Sequence, residues 1–241
     1  MAQQLDTRME NFTCRMLEAI PLSRKQNPKK AFHYCFLAIA FSILAGINAR
    51  AQEKEYFIDY AGLNAGFSRQ DVFPYNNDNY FHESRYLKVQ LGKEVWNRKK
   101  QSIEVLVEPS VYFVKHRMLN FFYIKPQDAE NFMELRDRFL QPLEYEEYAL
   151  NIGLIYRYEF SDLWSAYGQI SIGPMIATER TERQDEGFSF SDIVGLGTTY
   201  RHDRWRYDLR FTLRHVSNAD LTENNDGHNN AGIEIGVGIN L

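Results

Sequence analysis

Long runs in which every second residue is apolar leave this chain few folds to adopt. Between Tyr148 and Phe160 one face holds Tyr148, Leu150, Ile152, Leu154, Tyr156, Tyr158 and Phe160, and the other holds Asn151, Gly153, Arg157 and Glu159. Between Ser102 and Val114 the apolar face is Ile103, Val105, Val107, Val111 and Phe113, against Glu104, Glu108, Ser110 and Tyr112. A period of two sustained this long means strand, not helix. The same pattern predicts about eight strands, at 55–68, 84–96, 101–118, 145–160, 164–180, 188–203, 205–218 and 230–241. The connections at Asn97–Lys100, Ser161–Leu163 and near Asp203 are tight, whereas those around 69–83, 119–144, 181–187 and 219–229 are long. Short turns at one end and long loops at the other predict an all-β chain closed as an eight-stranded antiparallel outer-membrane β-barrel, with its termini at the short-turn, periplasmic end.

Alternation alone does not say which face looks inward. A soluble ligand-binding barrel would turn its apolar face in, and a membrane barrel turns it out. Arg206, Asp208, Arg210 and Arg214 share one face of the seventh strand, and Glu104, Glu108, Arg157 and Glu159 lie on the polar faces of the third and fourth, while the opposite faces hold few charges. Composition agrees with the membrane alternative. The mean hydropathy of −0.48 excludes a bundle of membrane helices. Aromatic residues make up 15% of the chain, including 15 Tyr and 17 Phe, as the girdles of a membrane barrel require. Eight strands make a barrel that its own side chains fill, so no pore is expected. The formal net charge of −4 leaves no basic face for nucleic acid.

The N-terminal quarter has a different character. Lys29 and Lys30 precede an apolar stretch of 17 residues, Ala31 to Ile47, and Ala49-Arg50-Ala51 follows as a small-x-small site. This reads as a secretory signal cleaved after Ala51. The rival, a membrane anchor, needs about 20 apolar residues, and this stretch is interrupted by His33, Ser42 and Gly46. Residues 1–51 are thus an N-terminal extension and cleaved signal peptide, with Met16 as an alternative start, and 52–241 form the barrel domain. Both cysteines, Cys14 and Cys35, fall in the removed part, which excludes thiol catalysis and cysteine-ligated zinc in the mature chain. Removal leaves 21 basic against 29 acidic residues, a net charge of −8.

Within the 119–144 loop, Asp128 to Leu140 has helical spacing, with Asp128 as N-cap and Phe132, Leu135 and Phe139 on one side. It is expected to pack on the barrel rim. Of the five histidines in the mature chain, His82, His116, His202 and His228 are expected to be solvated in loops or at strand ends. His215 differs. The apolar stripe Trp205, Tyr207, Leu209, Phe211 and Leu213 continues into His215 and Ser217, so both should face lipid at the outer-leaflet end of the strand. Residues i and i+2 on a strand point the same way about 7 Å apart, within reach for an imidazole to take a hydroxyl proton. A polar pair facing lipid needs a reason. The plain alternative is that the strand has already reached the headgroup zone.

The stretch HVSNADL followed by NDG, just before a final apolar strand, resembles the signature of the PagL-type lipid A 3-O-deacylases. The specific resemblance runs from His215 to Asn229, and the eight-strand layout extends it over the mature chain. It implies an outer-membrane carboxylic ester hydrolase that removes the acyl chain at position 3 of lipid A. It implies Ser217 as nucleophile, His215 as general base, Asn218 as a residue that orders the site and Asn225 as one linked to the oxyanion hole. The family's glutamate, which orients the histidine, falls on Asn229 here. Three side chains compete for that third role: Asn229, Asp226 and Glu234. In the last strand Glu234 shares a face with Gly232, Gly236 and Gly238 and should point into the barrel, while Asn229 has the parity of the outward apolar face. Asp226 is expected to shape the Asn-Asp-Gly turn. No cofactor and no metal are expected, since His215, Asp226 and His228 lack a recognised ligand spacing. The implied partners are lipid A or lipopolysaccharide of the outer leaflet, the membrane itself and, in a homodimer, a second copy of the chain. The rival functions are a non-catalytic adhesion or structural barrel and a lipid A acyltransferase.

Overall fold

A computed structural model of the chain describes residues 57–222 and 224–241. The expected signal segment, its cleavage site and both cysteines lie outside these residues. Eight strands run in chain order: β1 Tyr60–Arg69, β2 Tyr80–Arg98, β3 Gln101–Met118, β4 Leu143–Glu159, β5 Trp164–Ala177, β6 Gly187–His202, β7 Trp205–Ser217 and β8 His228–Asn240. Each pairs antiparallel with its sequence neighbour, and β1 pairs with β8, so the sheet closes on itself. Closure satisfies every ladder hydrogen bond without a free edge, which a hydrocarbon environment demands. The expected strands are all present, with the largest shifts at β1, which begins at Tyr60, and β2, which begins at Tyr80.

The side chains settle the question of facing. Leu150, Ile152, Leu154, Tyr156 and Tyr158 are exposed on the outside of β4, with Phe160 exposed just past its end, and Trp205, Tyr207, Leu209 and Phe211 on the outside of β7. The lumen is filled with paired charges in layers. Nearest the short turns, Glu104 accepts from the Tyr60 hydroxyl at 2.8 Å and from Arg157. At mid-height Arg210 donates to Glu108 at 2.9 Å and to Glu234 at 2.6 Å, and Lys88 donates to Glu234 at 2.6 Å. Nearer the long loops Arg214 donates to Glu147 at 2.6 Å. The polar faces read from the sequence are therefore the inner ones, and the interior is a packed polar core.

Arg210 is fully buried between two carboxylates. Removing one partner of a buried ionic cluster leaves uncompensated charge and costs about 3–5 kcal/mol. Arg210→Ala is therefore expected to lower barrel stability by about that amount, read from the urea midpoint of refolded protein in vesicles. An unchanged midpoint would mean that the lumen admits enough water to hydrate the carboxylates.

The long β3–β4 loop carries one helix, α1, Phe132–Phe139. Phe139 packs with Met118 and Ile124, which sets the helix on the rim as expected. The expected start at Asp128 is corrected. The Asp128 carboxylate accepts the Lys125 backbone N–H at 2.7 Å and closes a turn instead, so the N-cap position passes to Asn131.

Candidate active site

The candidate residues lie at the long-loop end of the barrel, where β6, β7 and β8 run side by side. His215 of β7 is the register partner of Asn229 of β8, and the two share the outer face. Directly opposed residues hold their Cβ atoms about 4.5–5.5 Å apart, and His215 Nδ1 lies 2.8 Å from Asn229 Oδ1. An amide oxygen only accepts, so this contact places the imidazole proton on Nδ1. Nε2 is then left with a lone pair, the state a general base needs. Asn229 is held in turn: its backbone N–H donates to the Tyr80 hydroxyl at 3.4 Å.

Ser217, the last residue of β7, has the outward parity of His215 and is half-buried. Its hydroxyl makes no side-chain hydrogen bond among the described residues, so it is free to turn towards Nε2. Beyond it the chain reverses sharply. Ala219 and Asp220 both adopt left-handed backbone, with φ of 53° and 59°. Conformations of this kind persist only where surrounding contacts enforce them. The contacts here are those of Asn218 and Asn225. Asn218 is buried, and its backbone N–H donates to Asn225 Oδ1 at 2.6 Å. Its side-chain amide donates to the Asn224 carbonyl at 3.1 Å and to the Thr222 hydroxyl. Asn225 donates from Nδ2 to Asp220 at 2.8 Å. These two asparagines thus brace the loop that follows the serine.

The remaining candidates go elsewhere. Glu234 points into the lumen, as its parity requires, and pairs with Lys88 and Arg210. Asp226 accepts from the Tyr123 hydroxyl, which links the β7–β8 loop to the β3–β4 loop. Arg183, from the β5–β6 loop, donates to the same hydroxyl at 2.8 Å, to the Gly227 carbonyl at 2.6 Å and to the Asp226 carbonyl at 3.0 Å. Three loops are therefore tied together at this end of the barrel. Gly227 has φ of 57°, and a Cβ there would run into the Val216 carbonyl, so the Asn-Asp-Gly turn needs glycine at this point.

One residue escaped the sequence reading. Asp192 of β6 is the register partner of His215 on its other side, so Asp192, His215 and Asn229 form one row across three strands. Asp192 is half-buried, and its Oδ1 is buried without a hydrogen bond. The signal was available. Asp192 interrupts an outward stripe of Phe188, Phe190, Val194 and Leu196, as His215 interrupts that of β7.

The histidine expectations need a second correction. His202 is exposed as expected, but His82, His116 and His228 are buried inside the barrel. Each occupies an inward-facing position near the long-loop end, where strand-end placement in the sequence had suggested solvent.

Comparison with solved structures finds other outer-membrane barrels. The crystal structure of the outer membrane enzyme PagL is 13% identical, covers 76% of this chain and 99% of its own, and superposes with a TM-score of 0.48. Neisserial surface protein A is 10% identical, with coverages of 76% and 96% and a TM-score of 0.40. OprG from Pseudomonas aeruginosa is 9% identical, with coverages of 76% and 96% and a TM-score of 0.36. No curated protein matches the chain. The family model described as lipid A 3-O-deacylase (PagL) matches residues 59–238, nearly the whole barrel and every side chain of the site just described. This chain belongs to the lipid A 3-O-deacylase (PagL) family, and it is a protein of the bacterial outer membrane.

Proposed function

We propose that this chain is an esterase that removes the acyl chain at position 3 of lipid A through Ser217 and His215. The observation that carries the reading is the 2.8 Å contact between His215 Nδ1 and Asn229 Oδ1 on the lipid-facing wall. It fixes the useful tautomer beside a hydroxyl, in the leaflet where an acylated sugar would lie.

In the first half-reaction Ser217 Oγ attacks the ester carbonyl carbon and its proton passes to His215 Nε2. The tetrahedral intermediate collapses, and the sugar oxygen leaves with that proton. Water, activated by the same nitrogen, then releases the fatty acid from Ser217. Oxyanion stabilisation is often the largest single catalytic contribution. Asn225 Nδ2 is a side-chain donor of the loop that follows Ser217, and it serves this role once it exchanges Asp220 for the oxyanion. Asp192 supplies the negative charge near the imidazolium that an asparagine at 229 does not.

Mass spectrometry of lipid A from cells with and without the protein tests the reading. Loss of one hydroxyacyl mass, assigned to position 3 by fragmentation, is the expected result. Unchanged lipid A would favour a structural barrel, and gain of an acyl group would favour a transferase.

The mature chain is proposed to begin at Gln52, after export and cleavage behind Ala51. N-terminal sequencing of the protein recovered from outer membranes is expected to start at that residue. A first residue upstream of Lys29 would show that the apolar segment is retained as an anchor.

A further inference from the structure

Inside the barrel mouth, directly behind the candidate active site, lies a cluster that the deacylase reading does not use. His82 of β2, Glu147 of β4 and His228 of β8 are all buried, and each offers a ligand atom within 4.8 Å of the other two. β1 has already ended at Arg69, and above its end the His82 and His228 rings stack with centroids 3.9 Å apart. Gln70 still donates its backbone N–H to the His82 carbonyl at 3.0 Å, and the two rings meet on the lumen side of the wall.

His116 Nε2 lies 2.8 Å from Glu182 Oε2, and the carboxylate accepts there. His116 Nδ1 lies 3.2 Å from His82 Nδ1, so the one hydrogen bond of the His82 ring is made on its Nδ1 side. His82 Nε2 is buried and without a hydrogen bond. His228 Nε2 is likewise buried without a hydrogen bond, with Glu147 Oε1 3.5 Å away. The Arg214 guanidinium engages the other carboxylate oxygen, Oε2, while Oε1 accepts from the Tyr145 hydroxyl at 3.3 Å and faces His228. Two imidazoles, each with one buried nitrogen that lacks a hydrogen bond, and one carboxylate thus converge in a buried site. Buried polar atoms in native proteins nearly always have partners, and one cation would supply one to both imidazoles.

We propose that His82, Glu147 and His228 bind a single transition-metal ion of the zinc class. Two imidazoles and a carboxylate are a ligand set that zinc accepts, with water at the fourth position. Zinc holds such atoms about 2.0–2.2 Å from itself, so the cluster closes inward by rotation of the two stacked rings. The carboxylates of Glu147 and Glu182 offset the guanidinium charges of Arg214 and of Arg183, which donates to the Gly227 carbonyl beside His228. The ion ties β2, β4 and β8 together at the mouth. His228 is the register partner of Val216 and the chain neighbour of Asn229, so the ion steadies the start of β8 from inside while Asn229 acts outside.

The test uses the whole refolded barrel, stripped with chelator and titrated with Zn²⁺ or Co²⁺ alone. The expected result is one ion per chain, visible Co²⁺ absorption of a four- or five-coordinate site, and a zinc-edge X-ray absorption spectrum with two imidazoles. His82→Asn and His228→Asn should each weaken uptake by at least about tenfold, while His202→Asn, on the surface, leaves it unchanged. Heat-modifiable gel migration reports whether each variant remains a closed barrel. Uptake by the unaltered barrel no tighter than that of the double histidine variant overturns the proposal. A zinc-edge spectrum with fewer than two imidazoles also overturns it, and that measurement needs no variant to fold.

Discussion

Ser217→Ala is expected to abolish release of fatty acid from lipid A, with a loss of about 10⁴-fold or more, while the barrel stays closed. His215→Ala is expected to do the same. Both side chains lie on the outer wall, away from the charge layers that hold the lumen together, so neither change should move stability by more than about 0.5 kcal/mol. The double variant should lose no more than either single one, because nucleophile and base act as one unit. Release of hydroxy fatty acid from purified lipopolysaccharide measures the rate, and heat-modifiable migration reports the fold. Near-normal turnover by a folded Ser217→Ala barrel would remove Ser217 from the mechanism.

Asn229 should show the next largest effect. Without its amide oxygen, 2.8 Å from Nδ1, the imidazole loses the contact that selects its tautomer. Asn229→Ala is expected to slow hydrolysis by about 10²-fold, less than the roughly 10⁴-fold that follows loss of a charged orienting group. Asn229→Glu should keep or raise the rate. Asp192→Asn is expected to slow the reaction several-fold through kcat with little change in KM, since Asp192 is the register partner of His215 on the side away from Asn229. Asp226→Asn should be mild, because Asp226 contacts Tyr123 and no member of the row. An inactive, folded Asp226→Asn barrel beside an unaffected Asn229→Ala one would reassign the third member to Asp226.

What was legible in the sequence depended on whether neighbours along one strand carried the information. His215 and Ser217 stood out because they interrupt an apolar stripe on their own strand, and the parity of Asn229 and Glu234 sent one outward and the other inward. Asp192 interrupts a stripe on its own strand as well, but its relation to His215 exists only through the β6–β7 register. The lumen histidines failed for the same reason. His82 and His116 meet as register partners of the β2–β3 hairpin, and only barrel closure brings His228 of β8 onto His82. Asp128 failed locally: an aspartate can close a turn as readily as cap a helix, and the contact with Lys125 decided between them.

On the proposed mechanism, the row of Asp192, His215 and Asn229 would also make catalysis a gauge of assembly. A one-residue slip between β7 and β8 would turn Glu234 towards lipid and is strongly disfavoured. A two-residue slip keeps every face correct and still closes a cylinder, but it carries Asn229 about 7 Å along the wall from His215. Such a product would migrate on a gel as a folded barrel and turn over as a damaged enzyme. The ratio of specific activity to folded fraction, followed during refolding into vesicles, would count mispaired hairpins that spectroscopic probes of β-content do not distinguish.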